Sequence, residues 1–268
     1  MPLKQLTREE QHKRQILPMA DAHCHLDMVN PPDIIDAIHS GVLVMITDGV
    51  NMKSNRRALE ISDGRHVYPA LGIDPQHALL IEDDDLDDEI NANIALIKAN
   101  REKVVAIGEI GLDYKHAGTF ELTAKQRTVF ERFLDLALET KLPVSVHSRD
   151  AMDDILDILK EKNMEKVHMH FFEGNVQQAK EAERRGYMIS IPPHESNKRK
   201  HVIKEVSLDN LLAESDAPAV GQTPKDVRTS IGIIAETKML SVERTAGALL
   251  DNTRKFFNLH TKTGIMRI

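Results

Sequence analysis

Short apolar runs alternate with longer amphipathic stretches from one end of the chain to the other. Eight of these runs are bounded by polar or turn-forming residues, and each is predicted to be a β-strand. The predicted strands are Met19–Ala22, Val42–Thr47, Val67–Leu71, Val104–Ile107, Pro143–Val146, Val167–His170, Tyr187–Ile191 and Asn210–Ala213. Eight strand-then-helix units favour a single TIM-type (β/α)8 barrel of the α/β class over a doubly wound sheet.

The stretches between the strands carry apolar residues at helical spacing. In the stretch 122–140, Val129, Phe133, Leu136 and Ala137 fall on one stripe, which predicts a helix with one buried face. Similar spacing predicts helices over 152–160 and 179–185, and further helix over 223–257.

The length of 268 residues fits either one α/β barrel or two ordinary domains, but no linker or internal repeat divides the chain. We therefore expect residues 16–268 to form the barrel. Residues 1–15 are polar and charged without an apolar core, so we expect an N-terminal extension and not a signal peptide. No apolar run approaches the roughly 18 residues that a membrane span requires. The single cysteine excludes an internal disulfide and is typical of a reducing compartment, which predicts a cytoplasmic protein.

The formal net charge of −7 comes from one octet, residues 82–89, which holds seven acidic residues and no basic one. The octet precedes an apolar-periodic run, so we interpret it as the acidic first turns of a helix. The rest of the chain therefore sums to zero and carries no overall basic footprint for nucleic acid. With 4% aromatic residues and no tryptophan, a stacking platform for single strands is not evident either.

The sequence DAHCHLD at the end of the first predicted strand is the first candidate for chemistry. Because side chains alternate along a strand, Asp21, His23 and His25 would point one way, and Cys24 would pack on the other side as a small apolar residue. Two imidazoles on one face can reach the same metal ion. The alternative is that the two histidines only cap the strand.

Four other predicted strands also end in histidine or carboxylate. Glu109 follows the fourth strand, His147 the fifth, His170 lies at the end of the sixth, and Asp216 follows the eighth. Each residue alone is explained by a helix cap, an ion pair or a turn. Together they predict one metal site with nitrogen and oxygen ligands, because the carboxyl ends of barrel strands meet at one mouth. His168 shares a face with His170 but lies deeper, and we expect it to be a buried, hydrogen-bonded partner.

These residues carry a resemblance to the TatD family of metal-dependent deoxyribonucleases, within the amidohydrolase-type barrels. The matching segments are DAHCHLD, IGEIGLDY, LPVSVHSRDA, HFFEG and ESDAP, which follow one another in the family's order. The stretch QRTVFERFLDLALETKLPV also resembles the helix that precedes the family's fifth strand. The resemblance extends from about Asp21 to Phe257, nearly the whole chain.

The resemblance implies two divalent metal ions, with identities that nitrogen and oxygen ligands leave open among Zn, Mg, Mn, Ni and Co. The implied ligands are His23, His25 and Asp216 for one ion, His147 and His170 for the other, and Glu109 as the bridge. Two ions suit displacement at phosphorus, because one lowers the pKa of a water and both absorb charge. Catalysis would then rest on Glu109 and on Asp216, which would accept a proton from the water.

Further residues are expected around the ligands. Asp21, Asp113 and Arg149 are candidates to support them, since a ligating histidine usually donates its other N–H to a carboxylate or carbonyl. Asp21 could equally turn into the packing of its own strand. Lys198 and Arg199, in a basic run after the seventh strand, are candidate phosphate contacts. Their alternative is a solvated first turn of the next helix.

The chain departs from the family pattern after the third strand. Asp74 and Gln76 stand where the family usually has histidines, which leaves the substrate open. The leading hypothesis is a deoxyribonuclease that acts on DNA ends. We expect it to bind no membrane and to need no obligate protein partner. The alternative is an amidohydrolase or lactonase acting on a small metabolite with the same metal centre. A deaminase and a non-catalytic binding scaffold are less well supported by the residues.

Overall fold

The computed structural model describes residues 16–259, and the predicted N-terminal extension, residues 1–15, lies outside them. Eight strands alternate with helices. The strands are β1 Met19–Cys24, β2 Val42–Gly49, β3 Val67–Leu71, β4 Ala106–Asp113, β5 Val144–Arg149, β6 Val167–Met169, β7 Met188–Ile191 and β8 Leu211–Ala213. All neighbouring pairs are parallel, in the order β1 to β8. The predicted (β/α)8 barrel is therefore confirmed.

Eleven α-helices lie within the described residues. They are α1 Pro31–His39, α2 Met52–Ile61, α3 Pro75–Ala78, α4 Leu86–Ala99, α5 Tyr114–Ala117, α6 Phe120–Thr140, α7 Met152–Glu161, α8 Val176–Arg184, α9 Asn197–Glu205, α10 Val227–Lys238 and α11 Val242–Phe256. Short 3-10 turns cover Leu26–Met28, Asp83–Asp85, Leu208–Asn210 and Pro224–Asp226. None of the helices in this part of the chain combines the length and apolarity that crossing a membrane requires.

The barrel closes between β8 and β1 at the carboxyl ends of these strands. The backbone N–H of Asp216 donates to the carbonyl of His23 at 3.0 Å, and that of His25 donates to the carbonyl of Ala217 at 2.7 Å. Three of these four residues are predicted metal ligands. The same backbone bonds that close the sheet therefore fix the positions of His23, His25 and Asp216.

Some element boundaries differ from the predicted ones for identifiable reasons. β4 continues to Asp113 because its backbone keeps pairing with β5, with Gly111 opposite His147. β6 ends before His170 because Phe171 adopts a left-handed conformation with φ of 43°. The predicted helix over 223–257 is two helices, since Met239, at φ of 55°, ends α10. The second half of the acidic octet forms the first turn of α4, as predicted, and the first half forms a 3-10 turn before it.

Apolar side chains on the strands pack against the helices and form one large buried cluster, which includes Cys24. A second, smaller cluster joins strand residues such as Ile46 and Leu212 to Leu250 and Phe257 at the end of the chain. Because α11 carries Leu250 to this cluster, it ties the last part of the described chain to the strands.

Candidate metal centre

The six predicted ligands come together at the carboxyl ends of the strands, although they are spread over nearly 200 positions of the sequence. His23, His25, Glu109, His170 and Asp216 are each at most 6% exposed. The side chain of His147 is 17% exposed. Buried charged groups require partners of opposite charge or a metal ion, and this cluster combines two carboxylates with four histidines, so it calls for an explanation beyond packing.

Glu109 lies between two pairs of histidines, and its two oxygens are divided between them. Oε1 is 2.8 Å from Nδ1 of His147 and 3.3 Å from Nε2 of His170. Oε2 is 3.6 Å from Nε2 of His23 and 3.5 Å from Nε2 of His25. A carboxylate in this position can contribute one oxygen to each of two neighbouring ions.

His23, His25 and Asp216 form a compact group on one side of Glu109. The Nε2 atoms of the two histidines are 3.3 Å apart. Oδ1 of Asp216 is 3.8 Å from Nε2 of His23 and 3.5 Å from Nε2 of His25. Two nitrogens bound to one tetrahedral ion at about 2.0–2.1 Å would be separated by about 3.3 Å, so this spacing fits shared coordination.

The grouping of ligand atoms around the other oxygen of Glu109 differs slightly from the one predicted from the sequence. His23, Glu109 and His170 bring ligand atoms within 4.8 Å of one another, as do His23, His25 and Asp216. His147 is outside both groups and contacts the cluster through Glu109, with its Nδ1 directed to Oε1. The donors are all nitrogen and oxygen, which suits a divalent ion of the kinds that the sequence allows.

Asp113 contacts His147 from the side opposite Glu109. Its Oδ2 is 3.3 Å from Nε2 of His147 and 2.8 Å from Nδ1 of His116, and it accepts a hydrogen bond from Gln76 at 3.2 Å. Burial would raise the pKa of Asp113, but the hydrogen bonds from the two histidines lower it below its ordinary value. The position matches the expected support of a ligand, and Gln76 takes part in it.

Asp48 is the supporting residue that the sequence reasoning missed. It lies in β2, and its Oδ2 is 3.2 Å from Nδ1 of His23. Its backbone carbonyl is 2.9 Å from Nδ1 of His25. A carboxylate and a carbonyl are the usual partners of the second nitrogen of a ligating histidine. The signal was present, since Asp48 directly follows the predicted second strand.

Asp21 does not lie behind a ligating histidine as Asp48 does. The pairing of β1 with β2 is irregular between Asp21 and Cys24, so the simple alternation of side chains fails there. The Asp21 carboxylate accepts hydrogen bonds from the backbone N–H of Ser215 at 2.8 Å and from its hydroxyl at 2.5 Å. Asp21 therefore ties β1 to the segment after β8.

Glu214 supports the opposite side of the centre and was also missed. It is fully buried, and its Oε2 is 3.5 Å from Nδ1 of His170. Its Oε1 accepts the backbone N–H of Phe171 at 2.7 Å, and its Oε2 accepts the hydroxyl of Ser190 at 2.6 Å. Glu214 thus faces a predicted ligand and also holds the strained backbone that follows it.

His168 has the deeper, hydrogen-bonded position expected for it. Its Nε2 is 2.7 Å from the hydroxyl of Ser190, and its Nδ1 is 3.3 Å from the hydroxyl of Ser145. Burial, reinforced by the charges of neighbouring histidines, lowers the pKa of His168 well below its ordinary value. A neutral His168 links the polar layer under the centre to Phe257, whose ring lies 6.0 Å away.

The carboxylates change the ionisation of the predicted ligands. Burial alone lowers the pKa of His25, but hydrogen bonding to Asp216 and the charge of Glu109 raise it to about 10. The pKa of His147 rises to about 9 against the same burial, through Asp113 and Glu109. These shifts reflect a concentration of negative charge, which a bound cation would neutralise in place of the protons. The residues present therefore fit a divalent metal ion.

The centre lies in the wall of a cavity of about 470 Å³, the metal cavity. Arg149 and Asp74 line this cavity together with His25, Glu109 and Asp216. Asp74 also caps α3, accepting the backbone N–H of His77 at 2.7 Å. Among the described residues, Arg149 makes no hydrogen bond to a predicted ligand, so the structure places it at the cavity and not behind a histidine.

Lys198 and Arg199 line a different cavity, next to the metal cavity. The ammonium of Lys198 donates to the carbonyl of Glu173, and the guanidinium of Arg199 donates to the carbonyl of His194. Arg199 is 7% exposed, so it is not part of a solvated first turn. The structure therefore does not bring these two residues to the predicted ligands.

Comparison with known proteins identifies relatives along almost the whole described chain. A family profile described as TatD related DNase matches residues 20–258. Human "Deoxyribonuclease TATDN3" is 31% identical over 262 residues, which cover 89% of this chain and 94% of the relative. The "Uncharacterized metal-dependent hydrolase YabD" of Bacillus subtilis is also 31% identical, covering 90% of this chain and 99% of the relative.

Solved structures agree with this relationship. The crystal structure of YjjV, a TatD homologue from Escherichia coli, superposes with a TM-score of 0.79 at 27% identity. The match covers 91% of this chain and 99% of that one. A TatD-family hydrolase from Entamoeba histolytica, at 18% identity, has a TM-score of 0.80 and shows that the barrel itself is shared.

Proposed function

The chain belongs to the TatD-related DNase family of metal-dependent hydrolases, and from this premise we propose that it is a deoxyribonuclease that trims DNA ends with two divalent metal ions. The observation that carries the proposal is the position of Glu109, whose two oxygens face different pairs of histidines. A site for a single ion does not require a carboxylate divided in this way.

Each ligand has an assigned place in the proposed centre. His23, His25 and Asp216 would hold one ion, His147 and His170 would hold the other, and Glu109 would contribute to both. Two bound divalent ions supply a water of lowered pKa and withdraw charge from the oxygens of a phosphodiester. Asp113, Asp48 and Glu214 orient the ligating histidines through the contacts that they make with His147, His23 and His170.

Asp216 is the proposed proton acceptor for the attacking water. Burial would raise its pKa, but the hydrogen bond from His25 and the charges of the neighbouring histidines lower it. The carboxylate is therefore ionised at neutral pH and can accept a proton, and it lines the metal cavity where substrate would enter. Arg149, in the same cavity wall, supplies a positive charge for a phosphate.

The choice of DNA ends rests on the relatives and on the shape of the cavity. The human relative is named a deoxyribonuclease, and the metal cavity is bounded by segments that follow β1, β2, β3, β6 and β8. A cavity enclosed from several sides suits the end of a strand better than the middle of a duplex.

Labelled DNA tests the proposal directly. The protein is incubated with DNA labelled at the 3′ or the 5′ end, with Mg²⁺ or Mn²⁺, beside an Asp216→Asn protein. We expect the wild type to release the label at one end as short products. The variant, which lacks the proton acceptor, should release it at least about 100-fold more slowly. DNA cleavage that is equal in the two proteins would contradict the assigned role of Asp216.

A small-molecule amidohydrolase or lactonase is the second candidate, and Asp74 is the observation that favours it. Asp74 adds a carboxylate to a cavity wall that already contains Glu109, Glu173 and Asp216, and Arg149 is the one arginine or lysine among the residues that line it. Such a wall favours a neutral substrate more than a polyanion. Turnover of a lactone or amide panel, with no trimming of DNA above the Asp216→Asn control, would support this second candidate.

A further inference from the structure

A second cavity of about 570 Å³ lies beside the metal cavity and shares Ser148 and Glu173 with it. Residues at the starts of α7, α8 and α9 line this neighbouring cavity. Ser148 directly follows the predicted ligand His147 in β5. The wall between the two cavities is therefore adjacent to the centre, and a substrate longer than the metal cavity could extend into the second one.

Two buried polar groups in the neighbouring cavity lack partners among the described residues. Ser148 and Arg199 are each 7% exposed, yet Oγ of Ser148 and Nε of Arg199 have no hydrogen-bond partner there. A buried polar group without a hydrogen bond is costly and is uncommon away from binding sites. α7 also begins at this cavity, and its cap residue Ala151 offers no side-chain acceptor to the first backbone N–H groups. These groups together supply the cavity with hydrogen-bond donors.

The same cavity also contains acceptors, which come from the first turn of α7. Asp153 and Asp154 line the cavity, and each already accepts one hydrogen bond, from Gln178 and Tyr114 respectively. These carboxylates would repel a free phosphate. They would accept the hydroxyl or amino groups of an uncharged, ring-containing unit, and Tyr114 and Phe172 add aromatic surface to the same cavity.

We propose that the neighbouring cavity is a second substrate subsite, which binds the nucleoside unit next to the phosphodiester that is cleaved. Its unpartnered donors, on Ser148 and Arg199, and the exposed Lys198 would face the linking phosphate or sugar oxygens. The carboxylates of Asp153 and Asp154 would accept hydrogen bonds from the base and sugar. This inference rests on the proposed function, because it needs a substrate built of linked nucleotides. It assigns Lys198 to the adjoining nucleotide and not to the cleaved phosphate.

Two substrates separate the subsite from the metal centre. Bis(p-nitrophenyl) phosphate offers a phosphodiester without a nucleoside, whereas an oligothymidylate offers the linked units. For Ser148→Ala we expect KM for the oligothymidylate to rise about tenfold more than KM for the small diester, the effect of one lost hydrogen bond. Lys198 lines only the neighbouring cavity. For Lys198→Ala we therefore expect KM for the oligothymidylate to rise severalfold more than KM for the small diester. Gln177→Ala, an exposed position in α8 outside this cavity, is the matched control.

A binding measurement gives a readout that does not require turnover. Fluorescence anisotropy follows a labelled oligothymidylate on Asp216→Asn protein, with and without Ser148→Ala, and the second substitution is expected to weaken binding about tenfold. Equal losses for both substrates, or no loss for either, would overturn the subsite while cleavage of DNA by the wild type still supports the proposed function. A wild type that cleaves only the small diester would overturn both.

Discussion

Single carboxylates determine the chemistry of the centre at the scale of residues, because each one contacts two or more partners. Glu109 divides its oxygens between two histidine pairs, and Asp216 faces both His23 and His25. Asp48 and Glu214 then face the second nitrogens of His23 and His170. Orientation of the ligands therefore depends on residues that would themselves touch neither metal nor substrate.

Glu214→Gln tests that dependence. Glutamine keeps one oxygen, which can accept the backbone N–H of Phe171, and its amide nitrogen can donate to the hydroxyl of Ser190. The substitution removes the charge that faces His170. We expect divalent metal affinity to fall about 10- to 100-fold, the usual cost of losing a partner behind a ligand. Calorimetric titration of metal-free protein with Mn²⁺ or Zn²⁺ measures it, with Glu205→Gln on the exposed surface of α9 as the control. An affinity equal to that of the control would show that Glu214 serves packing alone.

Asp48 and Asp21 are expected to respond differently to the same change. Asp48→Asn removes the charge beside His23, so metal affinity should fall while the folded state is retained. Asp21→Asn disturbs a buried pair of hydrogen bonds to Ser215, so the free energy of unfolding should fall by about 1–3 kcal/mol. Metal titration and chemical denaturation of both variants measure the two effects. If Asp21→Asn instead lowered metal affinity and Asp48→Asn lowered only stability, Asp21 and not Asp48 would be the partner of His23.

At the scale of elements, the contact between β4 and β5 sets the position of His147. Gly111 in β4 has φ of 146°, and a Cβ built there would lie 2.0 Å from the carbonyl oxygen of His147. Gly108, one residue before Glu109, would bring a Cβ to 2.6 Å from that of Ser145 in β5. Glycine at these positions lets the two strands approach closely enough to bring Glu109 and His147 together.

Gly111→Ala should therefore destabilise the protein by more than the strain of its backbone conformation alone would predict. Gly64 provides the comparison, since its φ is 64° and a Cβ there meets nothing within 4 Å. We expect Gly64→Ala to lower the free energy of unfolding by about 1 kcal/mol, and Gly111→Ala by clearly more, with loss of metal. Denaturation curves and metal content of both proteins check this. Equal destabilisation would mean that the close approach of β4 and β5 is not required.

At the scale of the whole molecule, the sequence was sufficient for the barrel and for the clustering of the six candidate ligands. Both follow from local patterns, since eight apolar runs alternate with helices and parallel strands end at one mouth. The supporting residues depend on tertiary detail. The irregular pairing of β1 turns Asp21 toward Ser215, and the burial of Arg199 in the neighbouring cavity cannot be read from a basic run. Asp48 could have been found by applying the strand-end rule to β2.

The charge of the molecule is also explained at this scale. The acidic octet that accounts for the net charge of −7 forms the turn before α4 and its first turn, and none of its residues lines the metal cavity. The acidity at the centre comes from other carboxylates, which are close to histidines. Binding of cations to the centre is therefore a property of buried geometry and not of overall charge.

The metal content of Glu109→Ala beside the wild type tests the central claim most directly. Both proteins are loaded with Mn²⁺ or Zn²⁺, freed of excess metal and measured by elemental analysis per folded chain. The account predicts about two ions per chain in the wild type and at most one in Glu109→Ala, because the bridging carboxylate is lost. A wild type that binds one ion, or a variant that keeps the full wild-type content, would contradict the two-metal centre.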